Sequence, residues 1–205
     1  MALGLALLCI PKGELHMLLC NRHTPVRDIF YRYYTHIAEW LPYIICVLIL
    51  FFGRVGNAAI ASTCIACSEL TTQIIKHVVV APRPLTWFET HFPDVTLPIV
   101  DGVTMNHWFS FPSGHTTSFF SLAFVLCLLF TKLPVKHRIT GIFVQTVLFL
   151  LAALGGYSRI YLSQHFAADV LGGMIVGLCI SVLCYLLFER WKDQKWFNYR
   201  LFTKK

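Results

Sequence analysis

The sequence predicts an all-α fold, a polytopic membrane helical bundle. Three observations carry that prediction. Hydrophobic residues make up 57% of the 205 residues and charged ones only 13%, with a mean hydropathy of +0.65, well outside the balance of soluble domains. The apolar residues gather into runs of membrane-span character, Ile37–Phe52, Ala58–Val80, Thr116–Phe130, Gly141–Gly156 and Phe166–Phe188. The basic residues, which set a net charge of +7, sit in short loops and a tail between those runs, a pattern that orients a membrane protein. The expected partners are therefore membrane lipids, with no nucleic acid. Residues 1–205 read as one domain, with a core of about 21–189 and a basic cytoplasmic tail over 190–205. Oligomeric state has no signature in the chain.

The first span is expected to be shortened. Residues 2–10 are apolar but too few to cross a bilayer alone, and the run continues imperfectly through Pro11, Lys12, Gly13 and Glu14 toward Cys20. With no basic n-region and no small-residue cleavage site, a signal peptide is not expected. Asn21–His36 mixes Arg22, Arg27 and Asp28 with Tyr31, Tyr33 and Tyr34, which suits an amphipathic helix lying in the interface. Gly53 to Asn57 reads as a tight turn. The Ala58–Val80 span, rich in Ala, Ser, Thr and Cys, is expected at the centre of the bundle, where small residues permit close helix approach. Glu69 within it is expected to serve as a structural partner for a cation such as Lys76, two turns along the same face; the other reading is a protonated packing residue. Cys64 and Cys67 are expected to pack as small hydrophobes.

Pro82 and Pro84 end that span. Leu85–Phe111 follows without periodicity, and a connection this long is usually functional; its Trp87, Phe88, Phe92, Trp108 and Phe109 suit a lid at the interface. With a cytoplasmic amino terminus, Arg54, the Lys132/Lys136/Arg138 loop and the tail all face the cytoplasm. The positive-inside rule then places residues 82–113 and 156–165 together on the outer face.

Three segments bearing chemistry meet there. Lys76 and Arg83 are seven residues apart, close to two helical turns. Pro112-Ser113-Gly114-His115 stands immediately before a helix, where free N–H groups and the dipole make an anion seat. In the third, Arg159 can grip a phosphate. His165 and Asp169, four apart, share a helical face, so the carboxylate can hold one ring nitrogen and free the other. Three permanent cations, a helix amino terminus and two histidines with a single carboxylate suit a phosphate and are the inverse of a metal site. The expected chemistry has His165, oriented by Asp169, attacking phosphorus to form a phosphohistidine. Lys76, Arg83, Arg159 and the Ser113/Gly114 turn stabilise the equatorial oxygens. His115 protonates the departing oxygen and later activates water, which predicts a bell-shaped pH profile. His77 would point away on its helix; His91 and His107 are read as lid residues, and His16, His23, His36 and His137 as surface or interface residues. Asp28 and Asp101 are candidates for tying loops to the catalytic cations.

Lys-x6-Arg-Pro at Lys76/Arg83/Pro84, Pro-Ser-Gly-His at 112–115 and Ser-Arg-x5-His-x3-Asp at Ser158/Arg159/His165/Asp169 together resemble the type 2 phosphatidic acid phosphatase superfamily, with no departure at any motif position. The resemblance implies a six-helix membrane core, no metal or other cofactor, and lipid phosphates or diphosphates as substrates. A compact chain of this kind is most similar to undecaprenyl-diphosphate or phosphatidylglycerophosphate phosphatases. Lipid A phosphatases and lipid phosphotransferases are the nearby alternatives. The implied location is a bacterial cytoplasmic (inner) membrane, with the active site on the outer, periplasmic side. A lipid-phosphate transporter is the non-enzyme alternative, although no inverted repeat is visible.

Overall fold

The protein is described by a computed structural model covering residues 7, 9–131 and 138–201. Among these the structure is all-helical. In order come α1 (Lys12–Cys20), α2 (Pro25–Tyr34), a 3-10 turn (Thr35–Ala38), α3 (Trp40–Gly53), α4 (Val55–Val79), α5 (Pro84–His91), α6 (Gly114–Thr131), α7 (Arg138–Tyr161), α8 (Ala167–Phe188), a 3-10 turn (Glu189–Trp191) and α9 (Lys195–Asn198). Part of the expected first span and the Lys132–His137 loop lie outside the described residues, as do Lys204 and Lys205. Within the expected first span, α1 is a helix of nine residues.

Among the described residues, three stretches are long and apolar enough to cross a membrane: Val55–His91, Arg138–Tyr161 and Ala167–Trp191. Pro25–Ala38 and Leu41–Gly53, bent by 49°, make a fourth if taken as one span, and Gly114–Leu128 is a shorter apolar helix. Large apolar side chains such as Ile49, Phe143, Leu150 and Leu186 are exposed on the outside of the bundle. Such faces belong against lipid.

Local chemistry explains the helix ends. Thr24 caps α2, its hydroxyl accepting from the Arg27 N–H at 3.3 Å, with Pro25 at the first helical position. Where a multi-residue turn was expected after α3, Arg54 alone is extended and α4 starts at Val55. The carboxy-terminal segment accounts for this: Val55 N–H donates to Tyr199 O at 3.1 Å, and Phe197 is buried with Ile60, Cys64, Val125 and Cys184. The basic tail is thus seated on the bundle by an aromatic anchor. Val80, with φ 46°, ends α4; Pro84 then starts α5, so the supposedly aperiodic lid opens with a helix.

The helix α6 packs against α4, α7 and α8. Two glycines permit the approach. A Cβ on Gly155 would collide with the Phe119 ring, and one on Gly173 with the Ser113 carbonyl. The close α6–α8 contact sets the Pro112–His115 turn directly against the start of α8.

Candidate active site

One end of the bundle, where α4 and α7 finish and α6 and α8 begin, encloses a cavity of about 580 Å³. Lys76, Arg83, Gly114, His115, Arg159 and His165 all line it. Three sequence segments thus converge as expected, although they do so by routes the sequence did not foresee.

Lys76 lies in the last turn of α4 and is buried. Arg83 is the extended residue before α5. Its Nε donates to Trp108 O at 3.0 Å, and its backbone N–H donates to His107 O at 2.8 Å. The spans read from the sequence put Arg159 in the 156–165 connection, ahead of the helix that carries Asp169. It sits instead in the last turn of the preceding helix, because α7 runs on to Tyr161. Its Nη1 donates to Thr35 Oγ1 at 2.6 Å. Between the two guanidiniums stands Gln164, 2% exposed, whose Oε1 accepts from Arg83 Nη1 at 3.1 Å and from Arg159 Nη2 at 3.5 Å. Its amide nitrogen donates to Thr104 O at 3.2 Å. Among the described residues, none of Lys76, Arg83 and Arg159 forms an ion pair. Three buried cations without a carboxylate partner are costly unless an anion joins them.

His165 is 1% exposed and, contrary to the helical expectation, precedes α8. The chain turns at Ser163, with φ 51°, and the Gln164 and His165 N–H groups both return to Arg159 O, at 2.9 and 3.1 Å. Asp169 therefore meets His165 through a cap, not through one face of a helix. Its Oδ2 accepts from the Phe166 N–H at 2.8 Å and from Ser110 Oγ at 2.5 Å, and lies 3.6 Å from His165 Nδ1. Burial pushes the His165 imidazole down to about 3, with the nearby arginines adding to the effect and Asp169 opposing it. An imidazole held in its neutral form keeps a lone pair on one ring nitrogen.

Ser113 differs from its expected role. Its hydroxyl accepts from Thr116 Oγ1 at 2.9 Å, and its N–H donates to Asp169 O at 2.9 Å. Ser113 thus caps α6 and ties it to α8, while Gly114 and His115, the first residues of α6, face the cavity. Glu69 makes no ion pair with Lys76; Ser118 Oγ donates to its Oε1, and it lines the same cavity.

His16 is buried, 1% exposed, with Nε2 3.4 Å from Ser163 Oγ, and so braces the turn before His165 where a surface residue was expected. His77 faces away, bonded to Gln73 O and packed on Phe109. His91 stacks on Trp87 and His107 bonds Thr86, both within the lid. His23 holds Asp28, which also accepts from Tyr161; Arg32 donates to Asp101 O. Neither aspartate reaches the cationic cluster. His36 pairs with Glu39, and His137 lies outside the described residues. Among the described residues no three of His, Cys, Asp and Glu are grouped as metal ligands would be.

A family model described as the PAP2 superfamily matches residues 57–193, which include every residue of the cationic cluster. The chain belongs to the PAP2 superfamily. It is 37% identical over 133 residues to lipid phosphate phosphatase 2 of Arabidopsis thaliana, covering 57% of this chain and 45% of that protein. It is 28% identical over 185 residues to a lipid A 4'-phosphatase of Porphyromonas gingivalis, covering 82% of this chain and 70% of that protein. The chain thus spans less than half the length of the plant relative. Its fold is similar to the crystal structure of a transmembrane PAP2 type phosphatidylglycerolphosphate phosphatase from Bacillus subtilis, with a TM-score of 0.72 and 22% identity over 90% of this chain and 87% of that one. Lys76, Arg83, Gly114, His115, Arg159 and His165, which line the cavity, all fall within the matched residues.

Proposed function

We propose that this protein is a metal-independent membrane lipid phosphatase that hydrolyses a lipid phosphate or diphosphate through a phosphohistidine. The carrying observation is the set of three buried, unneutralised cations around a neutral, buried His165 in one cavity. The permanent charge that a metal supplies elsewhere is supplied here by Lys76, Arg83 and Arg159.

His165 Nδ1 faces Asp169, which leaves Nε2 as the attacking nitrogen. The Nε2–P bond forms as the P–O bond to the lipid breaks, and the three cations with the Gly114 end of α6 hold the equatorial oxygens. His115 gives its proton to the leaving oxygen and then takes one from the water that attacks phosphorus. Cleavage of the P–N bond returns phosphate and a neutral His165. Substrate candidates are undecaprenyl diphosphate and phosphatidylglycerophosphate, with lipid A phosphatase or lipid phosphotransferase activity as the alternative. The names of the relatives and the motif resemblance support this range. The resemblance and the charge pattern also support a bacterial inner membrane with the site on the periplasmic face.

The test is phosphate release by purified protein in detergent and EDTA from short-chain phosphatidic acid, phosphatidylglycerophosphate and a polyprenyl diphosphate. Vanadate should inhibit, and His165→Ala should abolish release while the protein still elutes as a folded species. Binding of these lipids without any release would instead indicate a transporter.

A further inference from the structure

One wall of the cavity differs in its chemistry from the phosphate seat. Glu69 is the one carboxylate among the described residues that line it, accompanied by Tyr43, Gln73 and Ser118. Glu69, Gln73 and Lys76 recur at four and three residues along α4, so the carboxylate and the cation mark two ends of one helical face. Helical side chains lean toward the amino terminus, so Lys76 reaches back toward Glu69. Ser118 donates to Oε1 of Glu69, and Oε2 lies 3.8 Å from where a Cβ would stand on Gly114. The carboxylate therefore abuts the turn that seats the phosphate.

Tyr43 supplies an independent observation. It is 6% exposed, it lines the cavity, and its hydroxyl makes no hydrogen bond of normal geometry, with Ser118, already donating to Glu69, as its neighbour. A buried, orphaned phenol is costly, and a ligand group in the cavity would satisfy it. Ile44 and Ile65 flank this wall, giving an apolar side toward the lipid-facing helices α3 and α4.

The geometry points to a leaving-group subsite built from Glu69, Ser118 and Tyr43 that accepts a hydroxyl near the scissile ester, and so selects phosphomonoesters of polyol-headed lipids over diphosphates. This rests on the phosphatase reading above. With phosphate held by Lys76, Arg83 and Arg159, the departing alcohol extends toward Glu69. A hydroxyl there donates to the carboxylate and accepts from Tyr43. A second phosphate in the same place faces a carboxylate, and like charges at short range repel. A lipid lacking the hydroxyl leaves Tyr43 without a good partner and Glu69 with Ser118 alone, and polar sites discriminate strongly when a built-in partner is missing.

The experiment compares phosphatidylglycerophosphate with its analogue lacking the glycerol 2-hydroxyl, and with a polyprenyl diphosphate, in mixed micelles. The expected result is a kcat/KM for the hydroxylated substrate at least roughly tenfold above that of the deoxy analogue. Glu69→Gln should bring that ratio close to one and improve the relative rate on the diphosphate. Tyr43→Phe should reduce the same ratio, which keeps the test decisive if Glu69→Gln fails to fold. Inhibition of either variant by vanadate reports an intact anion seat. A wild-type protein indifferent to the hydroxyl, or variants that keep the wild-type ratio, would overturn the subsite and leave the phosphatase reading standing. Absence of phosphate release from all three lipids by wild type would overturn both.

Discussion

His165 Nδ1 stands 3.6 Å from Asp169 Oδ2, beyond hydrogen-bond reach, because that oxygen already accepts from Ser110 and from the Phe166 N–H. The carboxylate is anchored first to the backbone and the lid, and it presents itself to the imidazole from that fixed position. Catalytic hydrogen bonds are often long before substrate arrives and tighten in the complex. Asp169→Asn should lower kcat by roughly 10⁴-fold, the scale seen when a carboxylate that orients a catalytic histidine is neutralised. Ser110→Ala should cost about tenfold in kcat with little change in KM, since it loosens the anchor without touching the phosphate. Steady-state kinetics on a soluble short-chain phosphatidic acid separates the two.

Gln164 offers a single carbonyl oxygen to two guanidiniums, holding like charges side by side. Gln164→Glu places a carboxylate between Arg83 and Arg159 and neutralises part of the anion seat. KM and the vanadate inhibition constant should both rise, by roughly 10- to 100-fold at one to two charge-assisted hydrogen bonds. Gln164→Met, of similar volume but without the acceptor, should have a smaller effect of the same sign. An unchanged vanadate constant in Gln164→Glu would show that the arginines do not hold the phosphate.

The pH response follows from the lowered His165 pKa of about 3, caused chiefly by burial. The free protein keeps a neutral nucleophile throughout the physiological range, so kcat/KM should show no acid limb from His165 above about pH 4. An acid limb nearer pH 6 would report the second ionisation of the phosphate monoester. Stability carries the same signature. The unfolded histidine takes up its proton near its usual 6.5 while the folded one resists, so stability is fully present above that value and is lost as pH falls toward 3. His165→Asn should flatten that acid-side slope in detergent-based thermal melts.

The convergence of Lys76, Arg83, His115, Arg159 and His165 was legible because each lies at an end of an apolar run, and the alternation of spans sends those ends to one side. The residues that hold them were not. Thr35 reaches Arg159 across 124 positions and Ser110 reaches Asp169 across 59, and contacts of that range leave no period in a sequence. Gln164 had a readable signal, a polar amide in the short connection between the motif residues Arg159 and His165. The helical reading of His165 and Asp169 failed for a local reason: the carboxylate at the third position of α8 caps the helix, which requires the histidine to lie before it. Glu69 was paired with Lys76 on spacing alone, while the nearer donor, Ser118, came from another helix.

Phe197 tests how far the carboxy-terminal segment belongs to the fold. Its ring is 5% exposed, packed with Ile60, Cys64, Val125 and Cys184, at the end of the bundle away from the cavity. Phe197→Ala should destabilise the protein by about 3 kcal/mol, the usual scale for an emptied aromatic site. It should leave the vanadate constant at its wild-type value. A melt indistinguishable from wild type would mean that the segment is merely appended.

The cavity wall formed by Tyr43 and Ile44 of α3 with Ile65 and Glu69 of α4 has a consequence for how catalysis is measured. A substrate that arrives from between these helices never passes through bulk water, so the concentration that governs its rate is a two-dimensional one. Velocity should scale with the mole fraction of lipid phosphate in the surrounding film and fall as inert detergent or phospholipid dilutes it, even when the total amount of substrate per litre is held constant.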